Sequence, residues 1–400
     1  MASRILLVNK FYYPRGGDCV VVLNTEAMLR QSGMEAEVFA MEYPQNLNAR
    51  YQPLFPSRVD FAGGLGNKLR ALKRTMGKDD VKAKFEAVLD EFKPNVVHLH
   101  NIHSYLSPVV GQLAHERGMR VVWTLHDYKL LCPRYDCLLN GKPCEQCFGG
   151  NKLGVITNKC MKGSLPASAV AWIEALKWNR KALESNTDVF VCPSQFMAAK
   201  MRQGGFDPAK VKVLNNFLDP VKLQRYQDNG TSPRENYYCY VGRLSQEKGV
   251  ADLLAVASRL PYRLKVAGGG PLEDQLRQRY SNCPNIEFLG MLDAQGVVNV
   301  LSHARASVIP SQWYENNPLS VIESLCAGTP VAGSQIGGIP ELIDDYSGIT
   351  FKPFDQDALS TAITMMMTRD WDHTGIARTA LTRFSPTTHL HTLLNDIYAL

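Results

Sequence analysis

A chain of 400 residues exceeds what one hydrophobic core usually serves, and a hydrophobic content of 45% is ample for two cores, so two domains are expected. Lys and Arg number 44 against 38 Asp and Glu, giving a formal charge of +6 and a pI near 8.7, an excess too mild and too interleaved to argue for a nucleic-acid partner. No stretch approaches the roughly 18 uninterrupted apolar residues of a membrane-spanning helix, so any membrane contact is expected to be peripheral.

The opening, MASRILLVNKFYYPRGG, has too short an apolar run for a secretory signal and reads as a first strand. A cytoplasmic protein is the expectation, and its ten cysteines should be reduced thiols unless a metal gathers them. Short β-branched runs at 4–8, 36–39, 95–99, 120–125, 189–192 and 211–214 alternate with segments of helical spacing such as 20–31 and 85–92. This alternation predicts an α/β fold with a parallel, doubly wound sheet. The stretch 219–236, with Pro220, Asn229, Gly230 and Pro233, reads as a linker. Strands resume at 237–241, 263–267, 286–289, 306–309 and 329–332, a second α/β unit. Near the end, Ser385 is placed to cap a helix bearing Leu390, Leu393, Leu394 and Ile397. The expected domains are therefore 1–218 and 219–384, with a final helix at 385–400.

Folds of this class bind ligands where strand ends face a crevice, which points to the strand-end residues. In the first half, PRGGD puts Gly16 and Gly17 after the opening strand, where a glycine loop can meet phosphate, although the full G-x-G-x-x-G is lacking. The strand at 120–125 delivers His126 and Asp127, either a polar pair for chemistry or structural groups. In the second half, CYVGRLSQEKGV ends a strand with Arg243 and Lys248; these are surface charges, or two fixed cations that neutralise a departing diphosphate. VAGGGPLED offers Gly268, Gly269 and Gly270 for close approach to a ligand, or simply a tight turn, and Gly290 and Met291 either border a base or turn the chain. In WYENNPLSVIESLCAGTPV, Asn317 and Pro318 make a helix start whose free N–H groups suit a diphosphate. Glu315 then lies in the loop before the helix and Glu323 in its second turn, where carboxylates can accept hydrogen bonds from sugar and ribose hydroxyls or merely face solvent.

Taken together, GGD, TLHDY, VCPSQF, VLNNF, VGRLSQEKG, VAGGGPLE, NIEFLG and ENNPLSVIESLCAGTPVAGSQIGGIPELI resemble the retaining glycosyltransferases of the GT-B, glycogen-synthase-like class, in order and over nearly the whole chain. The resemblance implies two Rossmann-like domains facing across a cleft, the first for acceptor and the second for donor, with the final helix crossing back to the first. It implies a nucleotide-diphosphate sugar as donor, no cofactor for catalysis, and a glycan or lipid-linked acceptor, as in capsule and exopolysaccharide synthesis. By the same resemblance, Arg243 and Lys248 hold the diphosphate, Glu315 touches the transferred sugar and Glu323 holds the ribose. Asn316, Asn317, Pro318 and Leu319 help bind phosphate and sugar, Gly17 lies against phosphate from the first domain, and His126 meets the donor sugar. Retention would follow from front-face attack, with the leaving phosphate accepting the acceptor's proton, in contrast to the paired carboxylates of glycoside hydrolases.

Five cysteines crowd between 132 and 160, in a segment similar to a cysteine-bearing loop of some capsule members. Cys132, Cys144, Cys147 and Cys160 have spacing compatible with a structural zinc, Cys137 being left over. The segment NKLRALKRTMGKDDVKAKFE carries seven basic residues between Lys68 and Lys84 and is expected either to rest on anionic lipid as a basic amphipathic helix or to be a solvated one. Lys10 to Arg15, with Phe11, Tyr12 and Tyr13, are candidates for an acceptor wall. The competing readings are a nucleotide-sugar epimerase on the same architecture and a zinc-bearing, non-catalytic binding protein.

Overall fold

In the computed structural model, residues 3–60, 65–229 and 232–400 are described, excepting the side chains of Leu65 and Lys68; Gly230 of the expected linker and the Lys68 side chain of the basic segment thus lie outside the described residues. The chain divides into two compact units, one made of Met1–Cys137, Cys144–Asn215 and Leu390–Leu400, the other of Leu138–Pro143 and Asn216–His389.

The first unit is built on strands β1 (Arg4–Val8), β2 (Glu35–Phe39), β3 (Val96–Leu99) and β4 (Arg120–Thr124), followed, after a short hairpin of β5 (Leu138–Leu139) and β6 (Lys142–Pro143) that belongs to the second unit, by β7 (Val189–Cys192) and β8 (Val211–Val213). Their order is β2-β1-β3-β4-β7-β8, and every pair is parallel. Val96–Leu99 and Val189–Cys192 are buried throughout, because helices cover both faces of such a sheet and each strand must be apolar on both sides. The second unit repeats the plan with β9 (Glu235–Val241), β10 (Arg263–Ala267), β11 (Ile286–Gly290), β12 (Ala304–Ile309), β13 (Val331–Ser334) and β14 (Gly348–Phe351), in the order β11-β10-β9-β12-β13-β14, again all parallel. The α/β architecture expected from the strand–helix alternation is the one found.

Strand order fixes where each unit can hold a ligand. In the first, the chain winds outward from β1 to β2 and returns to pair β3 on the other side of β1. The crevice beyond the carboxyl ends of β1 and β3 is the topological switch point. In the second unit the switch falls between β9 and β12.

Several local expectations are corrected. The supposed linker contains a helix, Pro220–Asn229, anchored by fully buried Tyr226. Pro220 starts it, a position where the missing N–H costs nothing, so the proline that suggested a break marks a beginning. The basic segment is two helices, Leu65–Thr75 and Asp80–Phe92, parted by Gly77 at φ +64°. Arg74 does not join a basic face. It is wholly buried, paired with Asp79 and with Asp80 (2.8 Å), and it donates to the carbonyls of Tyr105 (2.8 Å) and Ser57 (2.9 Å). After Ser385, whose hydroxyl accepts from the Thr388 amide (3.1 Å), the last turns run Pro386–Thr392 and then as a wider π-helical segment, Leu393–Tyr398, that is buried at Leu393, Ile397 and Tyr398.

Arg74→Met should lower the stability of the protein by about 3 kcal/mol in urea denaturation, because it strands a buried carboxylate and two carbonyls without a counter-charge.

Candidate functional site

At the switch point of the second unit, the loop after β9 carries Gly242 to Lys248 and the loop after β12 carries Pro310 to Pro318. Lys248 lies in a short 3-10 turn, Gln246–Lys248, and its Nζ donates to Glu315 Oε1 at 2.6 Å. Ser311 Oγ donates to the same oxygen at 2.7 Å, and the Lys248 ammonium also stands 5.3 Å from the centre of the Trp313 ring. Glu315 is buried; burial alone would raise its pKa, yet the Lys248 charge and the hydrogen bonds outweigh that and hold the carboxyl below the usual range. Glu315 is therefore a fixed anion. Lys248 remains about a quarter exposed and spends one of its three donors on Glu315, so it can still meet another anion. The Arg243 side chain is exposed and has no hydrogen bond or ion pair among the described residues.

Backbone packing holds this pair of loops. Gly268, at φ +130°, lies so close to the Gly242 carbonyl that an added Cβ would sit 1.9 Å from its oxygen. Gly270 meets the Leu244 carbonyl in the same way, at 2.5 Å. Gly268 and Gly270 thus make close backbone-to-backbone contacts that a side chain would block, while Gly269 lies against Met291, itself largely exposed. Behind Glu315, Gly337 at φ +62° presses on the Glu315 backbone, and the Gly338 amide donates to the Glu315 carbonyl at 2.7 Å. Only glycine fits at position 337.

The helix expected after Asn317 is Leu319–Cys326, with Pro318 as the residue before its first turn rather than within it. Asn317 is buried: its Oδ1 accepts from the Asn216 amide and its carbonyl from Asn216 Nδ2, both at 2.8 Å, while its own Nδ2 has no partner among the described residues. Asn316 lies beside it, part-buried. Glu323, four residues into the helix, is buried and ion-paired to Lys222, so the solvated reading of this carboxylate is excluded. Lys222 and Asn216 were not read as site residues, Lys222 because it fell in the supposed linker.

In the first unit, Gly16 caps the helix Gly17–Gln31 with extended backbone, and an added Cβ at Gly17 would meet nothing within 4 Å, so packing does not require glycine there. His126 and Asp127 do not form a pair. Nε2 of His126 bonds Nδ1 of His100 at 3.0 Å, whereas Asp127 pairs with His103 at 3.2 Å and accepts from the Lys129 amide at 2.9 Å. Burial pushes the Asp127 carboxyl up, but His103 and these bonds bring it down to about 2; burial holds the His126 imidazole below its usual range against the opposing pull of Asp18 and Asp127. Asp18, bonded by Asn101 Nδ2 (2.9 Å) and near Lys10 (3.6 Å), completes the group. His100, Asn101, His103 and Asp18 were missed; the signal was present in HLHNIH, a strand end delivering four polar groups. The acceptor wall is reduced, since Phe11 and Tyr12 are core residues and Tyr12 bonds Glu26.

The cysteine loop does not fit a zinc. The free thiol of Cys132 is hydrogen-bonded to that of Cys137, the residue left out of the expected ligand set, and the Cys160 thiol points to the Gly154 carbonyl at 3.7 Å. Among the described residues, no three His, Cys, Asp or Glu side chains converge to hold a metal ion, so Cys132, Cys144, Cys147 and Cys160 are not a ligand set.

Comparison with known proteins agrees with this architecture. Residues 15–222 match the family model described as Glycosyltransferase Family 4, and residues 224–380 match the one described as Glycosyl transferases group 1. An uncharacterized 42.6 kDa protein in the cps region of Klebsiella pneumoniae is 24% identical over 371 residues, 88% of this chain and 91% of that protein. Sucrose-phosphate synthase from Thermosynechococcus elongatus has the same fold, with TM-score 0.64, 19% identity and 99% of both chains covered. So does HepE of Anabaena in complex with UDP, with TM-score 0.62, 16% identity, and 99% of this chain and 100% of that one covered. The chain belongs to Glycosyltransferase Family 4: it has the GT-B fold and is a glycosyltransferase that uses a nucleotide-sugar donor.

Proposed function

We propose that this enzyme transfers a sugar with retention of configuration and without a metal, from a nucleotide-diphosphate sugar to a glycan or lipid-linked acceptor of a surface polysaccharide. The observation that carries the reading is the fixed Lys248–Glu315 pair beside an unpaired Arg243 at the switch point of the second unit. The two cations are assigned to the diphosphate, where they stabilise the charge that develops as the sugar leaves, and the leaving phosphate takes the acceptor's proton. Glu315 is assigned to the transferred sugar and Glu323, held by Lys222, to the ribose. The unpartnered Nδ2 of Asn317 and the start of the helix Leu319–Cys326 are assigned to phosphate and sugar oxygens, with Gly268, Gly269 and Met291 near the nucleotide. In the first unit, Gly16 and Gly17 are assigned to phosphate and His126 to the sugar. The cps-region relative supports the polysaccharide role. An epimerase is disfavoured by the family match.

A peripheral contact with anionic membrane belongs to the same proposal. Leu69, Arg70 and Lys73 are exposed on the helix Leu65–Thr75, and Leu165, Ile173 and Leu176 are exposed on the helix Leu165–Lys177. Trp178 ties the two together by donating to the Thr75 carbonyl at 3.0 Å. Apolar side chains framed by Arg70, Lys73, Lys177, Arg180 and Lys181, with Glu174 buried in its ion pair to Lys129, match a negatively charged lipid surface. The protein should co-sediment with phosphatidylglycerol vesicles and not with phosphatidylcholine vesicles, and Leu69→Glu combined with Ile173→Glu should abolish the binding.

The primary test is a thermal-shift screen of the full chain against UDP-, GDP-, ADP- and TDP-sugars in EDTA. One donor should raise the melting temperature, and Lys248→Ala should then lose roughly 100-fold or more in transfer from that donor. Near-normal transfer by Lys248→Ala would remove the assigned mechanism; a donor shift that appears only when EDTA is left out would remove metal independence.

The Lys248–Glu315 pair also sets a pH dependence. Because the folded carboxyl titrates below its ordinary value of 4.5, the stabilisation is complete above that value and is lost as pH falls through the lower, folded pKa. The stability difference between wild type and Glu315→Gln should accordingly be largest at neutral pH and shrink in acid, as measured by thermal melts across pH.

A further inference from the structure

His126 stands at the end of a column of side chains that no motif reading had connected. Residues 98, 100, 124 and 126 alternate along and just beyond β3 and β4, so their side chains share one face of the sheet. The last helical segment, Leu393–Tyr398, packs with this unit, and Arg120 Nε donates to the Ile397 carbonyl at 3.0 Å. The Tyr398 hydroxyl, fully buried, bonds His98 Nδ1 at 2.7 Å, and His98 Nε2 bonds Thr124 Oγ1 at 2.7 Å. Held at both nitrogens, the His98 ring cannot turn. The His100 ring lies over it with centroids 4.2 Å apart, and the His100 carbonyl accepts from Trp123 Nε1 at 2.8 Å. His100 Nδ1 then meets His126 Nε2 at 3.0 Å, the two rings inclined by only 23°.

We propose that Tyr398, His98 and His100 are positioning residues for His126: they commit its Nε2 to the protein and leave Nδ1 as the atom it offers to a ligand. Two neutral imidazoles joined nitrogen to nitrogen share one hydrogen, so the tautomer of His126 is tied to that of His100. A ring locked in one tautomer presents one kind of atom, either a donor or an acceptor, at a fixed direction, whereas a free ring presents both. The charged groups that act on His126 are Asp18 and Lys10 beside β1, His103 after β3, and Asp127 from its own loop; their opposing signs partly cancel, and burial favours the neutral form. The catalytic meaning of the column rests on the assignment of His126 to the donor sugar.

The test uses the full chain labelled with 15N-histidine, with the His126 signals among the nine histidines identified by their loss in His126→Gln. In wild type, the two ring nitrogens of His126 should show the limiting shifts of a single tautomer at neutral pH. His100→Phe, which keeps a flat ring and removes the bonding nitrogen, should collapse them toward the average of two tautomers. His100→Asn, whose side-chain amide reaches the position of Nδ1, should restore a single tautomer. Tyr398→Phe, which deletes one oxygen and keeps the volume, should give a partial collapse. Limiting shifts retained in both His100→Phe and Tyr398→Phe, or averaged shifts already in wild type, would overturn the proposal. The experiment is run on the protein alone, so a failure to find sugar transfer would leave its result standing, and a failure here would leave the transfer assay standing.

Discussion

Parallel pairing on both sides of a central strand is the constraint from which the rest follows. A chain that winds outward from β9 through β10 to β11 must come back across the sheet to place β12 on the other flank of β9, and the two loops leaving β9 and β12 then diverge above and below the sheet. The gap between them is not designed separately; it is what the winding leaves. Into that gap the loops bring Lys248 and Glu315, residues 67 positions apart in sequence, and the buried carboxylate is tolerable only because the ammonium is there. The first unit obeys the same geometry, and its gap beyond β1 and β3 receives the start of a long helix and the polar strand end of HLHNIH.

Much of this was legible before any coordinates. Short runs with a buried apolar side read as strands, so 4–8, 189–192 and 263–267 coincide with β1, β7 and β10 to the residue. The edge strand β14 escaped because GITF is too short to stand out from the turn preceding it. The helix Pro220–Asn229 escaped because its buried residue, Tyr226, is surrounded by polar neighbours, and composition alone then resembles a connector. Lys222 went with it.

Partnership was harder to read than position. His126 and Asp127 are adjacent in sequence, but neighbours on a strand end point apart, and each found its partner on the segment after β3 instead. Arg74 illustrates the same limit: its place in a basic run says nothing of the fact that Asp79 and Asp80, five and six residues on, fold back over it. The glycines after β10 were rightly marked as special, yet the close neighbour of two of them is the protein's own carbonyls. Cysteine spacing in the 132–160 loop was equally persuasive and equally silent about direction, since Cys160 turns away toward Gly154.

Under the proposed assignment of Asn317 to the donor, its unpartnered side-chain amide bears on which donors the enzyme tolerates. A neutral N–H buried without an acceptor costs on the order of 1–3 kcal/mol, a cost that a ligand oxygen placed there would remove. A compound lacking that oxygen gains nothing from the site and leaves the deficit in place, and such an omission is rejected far more sharply than an added methylene in an apolar pocket. On that assignment, discrimination at this point is built from what the protein lacks by itself, and deoxygenated analogues of the donor should be poor competitors even where they fit by shape.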